Sequence, residues 1–294
     1  MTQSATFTRP ATNSWKVSAG LIGSGIQASL TPSLHMQEGT KQGLEYSYEL
    51  FDLDKIAGSV NALAATLESA ESRGFAGVNI THPCKQTVLP MLDGLTEDAA
   101  ALRAVNTVVF SNGRRIGHNT DWWGFAESFR RGLRDASTDV VVQLGAGGAG
   151  AAVAYAMLKL GTRILEIFDI DAGRTAALVA NLSVLFPQQR VSAVVNLHES
   201  MERSNGLVHA TTTGMAKSPG LPLPPQLLHS RHWVTEIVYF PLQTELLKLA
   251  KQRGCRYLDG GGMAVYQAVD AFRLFTGITP DATRMARHFD SLAR

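Results

Sequence analysis

VVVQLGAGGAGAAVAYAML, residues 140–158, is a stretch without a single charged side chain. Valines fill its beginning, glycines its middle and alanines its end. The length would suit a membrane span, but the glycines and alanines that dominate its middle argue against one. We interpret the stretch as a buried strand, a tight turn and a buried helix.

The turn itself, Gly145 to Gly150, satisfies the pattern G-x-G-x-x-G. Alone this pattern is weak, because glycine-rich turns also occur for packing. Here a strand precedes it, a helix follows, and a second strand ends at Asp169. Glycines let the backbone approach a pyrophosphate, whose charge is favoured at the helix N-terminus. The pattern predicts dinucleotide contacts from Gly145, Ala146, Gly147, Gly148 and Ala149; a purely structural turn is the alternative.

Asp169 is the residue that we expect to select the dinucleotide. A carboxylate at that strand end can accept hydrogen bonds from the adenine ribose and would repel the 2′-phosphate of NADP. Arg174 could stack on adenine or partly rescue NADP binding. Asp171, the rival carboxylate, is better placed to cap the following helix. We predict NAD as cofactor, with NADP weaker or not used.

Strands and helices alternate on both sides of this turn, which predicts an α/β fold with mainly parallel sheets. Before the turn we predict strands Trp15–Ile22, Leu44–Asp52 and Gly74–Ile80, helices Pro32–Gln42 and Ile56–Arg73, and a hairpin 104–117 with its turn at Asn112-Gly113. From Asp121 we predict helices 121–135, 148–160, 172–183 and 263–277, and strands 139–144, 163–169, 206–210, 233–238 and 255–258.

These elements indicate two domains with a cleft between them. One spans residues 15–120 and is completed by C-terminal helices within 263–294. The other, a Rossmann-type NAD-binding domain, spans 121–262. The first fourteen residues are polar and lack the apolar core of a signal peptide, so we expect a loose tail.

Composition restricts the function classes. A hydrophobic content of 45%, a charged content of 18% and a net charge of +2 are typical of an ordinary globular protein. They favour neither nucleic acid nor a membrane as partner. Two cysteines and no Cys/His cluster with ligand spacing predict reduced thiols, no metal and a cytoplasmic location.

Six motifs in order give the chain its closest resemblance. They are GSGIQASLTPSLH (23–35), GVNITHPCKQ (77–86), AVNTVV (104–109), GHNTDWWGF (117–125), GAGGAG (145–150) and QAVDAFRLFTG (267–277). Together they resemble the shikimate dehydrogenase family, and within it the bacterial NAD-dependent quinate/shikimate dehydrogenases. The resemblance implies that domain 15–120 binds the substrate and carries the catalytic lysine.

The family's catalytic pair falls on Lys85 and Asp121. Oxidising an alcohol requires a base for the hydroxyl proton, and the reverse reaction requires an acid. The resemblance further implies substrate contacts from Ser29, Thr31, Thr81, Asn106, Tyr239 and Gln267, and a cofactor contact from Gly260. Thr31 could instead only begin the helix at Pro32.

Three departures from the family pattern concern the pocket. Trp122 and Trp123 follow Asp121 where small residues are commoner. HATTTGM stands at 209–215, where NATPMGM or similar is usual. Tyr266 precedes Gln267 where a smaller residue or His is frequent. We interpret the three aromatic residues as packing residues, and Cys84 as an apolar filler rather than a nucleophile.

The function that we predict is reversible oxidation of quinate to 3-dehydroquinate, of shikimate to 3-dehydroshikimate, or of both. A shikimate-only or aminoshikimate dehydrogenase is the alternative with the same chemistry. A non-catalytic dinucleotide-binding regulator is the alternative from another class, and Lys85 with Asp121 argues against it. A homodimer is compatible with the resemblance.

Overall fold

The computed structural model describes residues 15–55 and 61–293. The predicted tail and the first five residues of the predicted helix 56–73 lie outside this range. The chain divides into two compact units, which we call unit 1 and unit 2. Of the described residues, unit 1 contains those up to Ala99, 105–118 and 268–288, and unit 2 contains 100–104, 119–267 and those from Phe289.

Unit 1 is built on a 6-stranded sheet in the order β2-β1-β3-β5-β6-β4. Its strands are β1 (Lys16–Gly23), β2 (Glu45–Asp52), β3 (Gly77–Ile80), β4 (Gly94–Leu95), β5 (Thr107–Ser111) and β6 (Arg114–His118). β1 pairs in parallel with β2 and β3, and β4 with β6. β5 runs antiparallel to β3 and β6.

The β5–β6 connection is the predicted hairpin. Its two turn residues, Asn112 and Gly113, have φ values of 52° and 69°. Two positive φ angles are what a two-residue hairpin turn requires to match the twist of its strands. The Asn-Gly pair therefore fixed this part of the fold locally.

Unit 2 is built on a second 6-stranded sheet, in the order β12-β11-β10-β7-β8-β9. Its strands are β7 (Val140–Leu144), β8 (Ile164–Phe168), β9 (Arg190–Ala193), β10 (Gly206–His209), β11 (Trp233–Glu236) and β12 (Arg256–Leu258). All pairings are parallel. This is the strand order of the Rossmann fold, which confirms the predicted fold class. The order reverses between β7 and β10, so the crevice at their carboxyl ends is the expected ligand position.

Eleven helices complete the described part of the chain. They are α1 (Thr31–Lys41), α2 (Ala62–Ser72), α3 (Cys84–Thr87), α4 (Glu97–Leu102), α5 (Asp121–Gly132), α6 (Gly148–Lys159), α7 (Ala172–Leu185), α8 (Leu197–Arg203), α9 (Glu245–Gln252), α10 (Gly261–Thr276) and α11 (Ala282–Leu292). β7, the glycine turn and α6 confirm the interpretation of residues 140–158. None of the helices in residues 15–55 and 61–293 is long and apolar enough to cross a membrane.

The core of unit 2 lies on both faces of its sheet. Val141 and Leu165 point into one cluster of buried side chains, and Val142 and Leu207 into another. Alternation along each strand produces this two-sided burial. The sequence did not predict β9 or α8, because RVSA and LHESMER are short and polar, and tertiary packing rather than propensity stabilises such elements.

Candidate functional site

Backbone hydrogen bonds in unit 1 bring three predicted site residues together. The Lys85 carbonyl accepts from the Val105 N–H at 2.8 Å, and the Asn106 carbonyl accepts from the Ile80 N–H at 2.8 Å. Thr81 directly follows Ile80, the last residue of β3. Thr81, Lys85 and Asn106 therefore lie near one another at the carboxyl end of β3.

A buried polar network lies next to these residues. The Tyr48 hydroxyl donates to Asn79 Oδ1 at 2.7 Å, and Asn79 Nδ2 donates to Thr107 Oγ1 at 2.9 Å. The Thr107 hydroxyl in turn donates to Asn106 Oδ1 at 3.2 Å. Burial raises the pKa of Tyr48 well above its usual value, so its hydroxyl remains a donor. The network fixes the side-chain orientation of Asn106.

Sequence reasoning missed Tyr48 and Thr107. Each lies on a strand whose other residues are ordinary sheet formers, and the partners Tyr48 and Asn79 are 31 residues apart. The available signal was Asn79 itself, a polar residue in the fully buried strand β3. A buried polar side chain requires hydrogen-bond partners, and this one could have prompted a search for them.

Ser29 and Thr31 lie in the segment that leads from β1 into α1. Asp52, at the end of β2, accepts from the Gly25 N–H at 3.1 Å and from Gln27 Nε2 at 3.0 Å, which orders the segment. Ser29 Oγ accepts from the Thr31 N–H at 3.3 Å. α1 begins at Thr31 with Leu30 at its N-cap, and no side chain caps its first turn.

The same segment lies beside Thr81. A Cβ atom on Gly23 would stand 2.3 Å from Thr81 Cγ2, and the Ser24 N–H donates to the His82 carbonyl at 2.9 Å. Glycine at the end of β1 thus allows β3 and its following turn to approach closely. Within unit 1, the structure brings the 24–31 segment and the Thr81–Lys85 turn side by side.

Two predicted residues of unit 2, Asp121 and Gln267, lie on helices that cross. Asp121 is the buried first residue of α5, and its N–H donates to Asn119 Oδ1 at 3.1 Å. Gly124, one turn later, would place a Cβ atom 2.6 Å from the Gln267 backbone nitrogen in α10. The absence of a side chain at Gly124 lets the two helices meet one turn from Asp121.

The structure gives packing contacts for Trp122, Tyr266 and Cys84, in agreement with their interpretation as packing residues. Trp122 meets Tyr155 edge-on, with ring centroids 5.6 Å apart, and the Arg131 guanidinium lies over the Tyr266 ring. Cys84 is buried in the core of unit 1, and burial raises the pKa of its thiol. A thiol of raised pKa in an apolar surrounding is a filler rather than a nucleophile.

The glycine turn has one rigid side and one open side. Gly145 has a φ of 107°, and a Cβ atom on it would stand 2.4 Å from the Ala210 carbonyl oxygen. Gln143 Nε2 donates to the carbonyls of Gly145 and Gly150, both at 2.8 Å. By contrast, a Cβ atom on Gly147 or Gly148 would meet nothing within 4 Å. Gly147 is the N-cap and Gly148 the first residue of α6, whose first-turn N–H groups have no intrahelical acceptors, and so this open side fits a pyrophosphate.

Asp169 contacts the glycine turn directly. Its Oδ2 accepts from the Ala146 N–H at 2.7 Å, and its Oδ1 accepts from the Asp171 N–H at 2.9 Å. Asp171 accepts from the Arg174 N–H at the start of α7, which confirms its predicted capping role. The Arg174 side chain is exposed, with its Nε 3.3 Å from Asp171 Oδ2. The carboxylate beside the turn is therefore Asp169.

Tyr239 follows β11, and Gly260 lies between β12 and α10. Tyr239 is 44% exposed, and a Cβ atom on Gly260 would stand 2.5 Å from the Ile237 carbonyl oxygen. The two residues thus occupy adjacent segments of unit 2. His209, the first residue of the 209–215 departure, is fully buried at the end of neighbouring β10, with its Nδ1 2.8 Å from Glu236 Oε1.

Two family models match the chain. One, described as the shikimate dehydrogenase substrate binding domain, matches residues 21–108. The other, described as the shikimate 5'-dehydrogenase C-terminal domain, matches residues 260–288. The first range contains Ser29, Thr31, Thr81, Lys85 and Asn106, and the second contains Gly260 and Gln267.

Curated relatives are similar over nearly the whole chain. A shikimate dehydrogenase (NADP(+)) of Streptomyces avermitilis is 54% identical over 276 residues, which cover 93% of this chain and 95% of the relative. A quinate/shikimate dehydrogenase (NAD(+)) of Corynebacterium efficiens is 45% identical over 276 residues, 93% of this chain and 97% of the relative. The quinate dehydrogenase from Corynebacterium glutamicum, solved in complex with NAD, has a TM-score of 0.90 at 44% identity, covering 94% of this chain and 99% of its own.

Proposed function

Because the chain belongs to the shikimate dehydrogenase family, we propose that it is an NAD-dependent quinate/shikimate dehydrogenase. As a family member it is a dinucleotide-binding dehydrogenase that acts on a CH–OH group. The proposed reaction is reversible oxidation of quinate to 3-dehydroquinate, of shikimate to 3-dehydroshikimate, or of both. The observation that carries the choice of NAD is the Asp169 carboxylate, hydrogen-bonded to the glycine turn at Ala146.

Lys85 and Asp121 are the proposed proton-transfer residues. A bound NAD would supply the acceptor for the hydride of the alcohol carbon. Lys85 then takes the hydroxyl proton during oxidation and returns it during reduction. The short backbone bond from Val105 to the Lys85 carbonyl supports this role, because it limits the movement of the α3 turn that carries the side chain.

The substrate carboxylate is assigned to the hydroxyls of Ser29 and Thr31. Hydroxyls and nearby N–H groups can bind a carboxylate without a dedicated arginine. Thr81 and Asn106 are the proposed partners of ring hydroxyls from unit 1, and Gln267 and Tyr239 from unit 2. The network that orients Asn106 supports this assignment, since a polyol ring is recognised only by donors and acceptors held in fixed positions.

The proposed cofactor contacts are Gly145, Ala146, Gly147, Gly148 and Ala149 at the pyrophosphate, with Asp169 at the adenine ribose and Gly260 near the nicotinamide. The open space at Gly147 and Gly148 supports the first group. Arg174 is the proposed adenine neighbour, and its pairing with Asp171 leaves Asp169 without a basic partner from α7.

A second candidate is an NADP-dependent shikimate dehydrogenase. It is favoured by the Streptomyces avermitilis relative, which is 54% identical and carries that name. The two candidates differ in the 2′-phosphate of the cofactor. They therefore make opposite predictions for the cofactor preference of the unmodified protein, and the Asp169 carboxylate favours the first candidate because it repels a phosphate and attracts a hydroxyl.

The experiment is an initial-rate comparison of quinate and shikimate, each with NAD and with NADP. The proposal expects the largest kcat/KM with NAD, and Asp169→Asn should raise the ratio of NADP to NAD efficiency by about tenfold or more. Asparagine retains an acceptor for the Ala146 N–H, so the glycine turn keeps its hydrogen bond. Asp139→Asn, an exposed carboxylate just before β7, is the matched control and should leave the ratio unchanged. A preference for NADP in the unmodified protein would favour the second candidate.

A further inference from the structure

Residues 210–214 form a second wall beside the glycine turn, and we call them the β10 loop. A Cβ atom on Gly145 would stand 2.4 Å from the Ala210 carbonyl oxygen and 3.1 Å from Thr211 Cγ2. β7 and β10 are adjacent in the sheet at the point where the strand order reverses. The β10 loop therefore borders the crevice in which a dinucleotide binds in this fold.

His209 connects the β10 loop to a buried carboxylate. Its Nδ1 lies 2.8 and 2.9 Å from the two carboxylate oxygens of Glu236, and both side chains are fully buried. Its Nε2 lies 2.6 Å from Thr211 Oγ1, which also accepts from the Thr213 N–H at 3.1 Å. The imidazole therefore bridges Glu236 and the hydroxyl that shapes the loop.

Glu236 holds two further segments. It accepts from the Val238 N–H at 3.0 Å and from the Thr244 hydroxyl at 3.0 Å. The first bond orders the segment on which Gly260 packs. The second fixes Thr244, which caps α9. One carboxylate thus connects the β10 loop with the segment that carries Tyr239 and with the start of α9.

Because His209 and Glu236 are buried, the loss of either side chain or of a hydrogen-bond partner should disturb the segments around them. A buried carboxylate or imidazole that loses its partner keeps the cost of desolvation without the compensating hydrogen bond. The surrounding segments must then move to restore hydrogen bonds or admit water. The segment nearest to His209 is the β10 loop, held through Thr211.

We propose that His209 and Glu236 are positioning residues that hold the β10 loop against the glycine turn and thereby set the affinity for the dinucleotide. Neither side chain is assigned a contact with the substrate or the reacting atoms. The inference rests on one part of the proposed function, namely that unit 2 binds a dinucleotide. It does not depend on whether that dinucleotide is NAD or NADP.

The test uses the whole protein and substitutions along the chain of contacts. Thr211→Val removes the hydroxyl at constant shape, Thr211→Ser retains it, and His209→Phe removes both imidazole hydrogen bonds. His232→Phe is the matched control, because His232 is also buried in unit 2 and hydrogen-bonded, to the Met201 carbonyl and the His229 N–H, at the opposite end of β11. For each protein, the dissociation constants of NADH and NADPH, the substrate KM and the melting temperature without ligand are measured.

Thr211→Val and His209→Phe should raise the dissociation constant of the preferred dinucleotide by about tenfold, with the substrate KM within about twofold. Thr211→Ser should restore binding. His232→Phe should lower the melting temperature as His209→Phe does and leave the dissociation constant unchanged. Equal dissociation constants in all variants, or an equal loss in His232→Phe, would overturn the positioning role. If the proposal that NAD is the cofactor is wrong, the unmodified protein will bind NADPH more tightly than NADH, a result that the positioning role does not affect.

Discussion

The polar network of unit 1 and the glycine turn of unit 2 are built in opposite ways. The network joins side chains from β2, β3 and the start of antiparallel β5, whereas the glycine turn follows the carboxyl end of β7. The network, Tyr48–Asn79–Thr107–Asn106, is made of side chains that fix one another. The glycine turn is made of positions without side chains, two of which open onto empty space.

The difference follows from what each region is proposed to bind. A ring acid presents several hydroxyls, and only donors and acceptors in fixed positions distinguish them. A pyrophosphate presents charge, which backbone N–H groups at a helix start can bind if no Cβ atom intervenes. Unit 1 should therefore be sensitive to the removal of polar atoms, and unit 2 to the addition of carbon atoms.

The largest expected effect is that of Lys85→Ala in unit 1. Loss of the proton-transfer group should lower kcat by about 10²–10⁴-fold. The dissociation constant of the dinucleotide should change little, because that binding is assigned to unit 2. Steady-state kinetics and a dinucleotide titration measure the two quantities separately.

Lys41→Ala is the control for Lys85→Ala. Lys41 is exposed in the last turn of α1 in the same unit, and its removal should leave kcat unchanged. If Lys85→Ala lowers kcat and dinucleotide affinity by the same small factor, the assignment of Lys85 to proton transfer is wrong.

Two added methyl groups in the glycine turn should have different effects. Gly145→Ala should destabilise the protein by about 2 kcal/mol or more, because its φ is 107° and the Ala210 oxygen occupies the Cβ position. Gly147→Ala should leave the melting temperature unchanged or higher, since its φ of −74° suits alanine, yet weaken dinucleotide binding. Thermal melts and NADH titrations of both variants test this contrast, and equal NADH binding by Gly147→Ala would contradict the pyrophosphate assignment.

A smaller effect is expected from Tyr48→Phe. Removing its hydroxyl leaves the buried Asn79 Oδ1 without that donor, at a cost of about 1–3 kcal/mol in stability. The looser network should raise the substrate KM while the dinucleotide KM stays constant. Tyr46→Phe, which removes a hydroxyl bonded to His35 instead, is the matched control for the KM effect. An unchanged substrate KM in Tyr48→Phe would show that the network does not contribute to substrate binding.

The smallest expected effect concerns the pH dependence of stability through His35 in unit 1. Burial lowers the pKa of His35 from 6.5 to about 3, so the folded protein keeps it neutral where the unfolded chain binds a proton. Its contribution to stability is therefore full above pH 6.5 and is lost as the pH falls towards 3. The slope approaches about 1.4 kcal/mol per pH unit within this window.

His35→Phe should flatten that slope, and urea unfolding at pH 7, 6 and 5 measures it. The comparison with His209 is instructive, since both imidazoles are fully buried. His209 has hydrogen-bond partners at both nitrogens, whereas His35 Nε2 has none among the described residues. His198→Phe, at an exposed histidine, is the control and should keep the slope of the unmodified protein. A slope equally steep in His35→Phe would show that other groups cause it.

The sequence by itself determined the local features of this protein. Alternating apolar runs predicted the sheets and most helices, and the Asn-Gly pair predicted the β5–β6 turn. The glycine pattern predicted the turn between β7 and α6, and its spacing to Asp169 predicted a carboxylate at the end of the next strand. Each of these features depends on neighbours within a few residues or on a fixed spacing. Backbone conformation and side-chain periodicity are enough to produce them.

Only the tertiary structure decided which buried polar atoms meet. Gln143 donates a hydrogen bond to the glycine turn, and Tyr48 donates one to Asn79. His209 is hydrogen-bonded to Glu236, 27 residues away in the chain. A buried polar side chain predicts that a partner exists, but not which strand supplies it. Strand order and register choose that partner: His209 meets Glu236 because β10 and β11 pair with those two residues opposite each other.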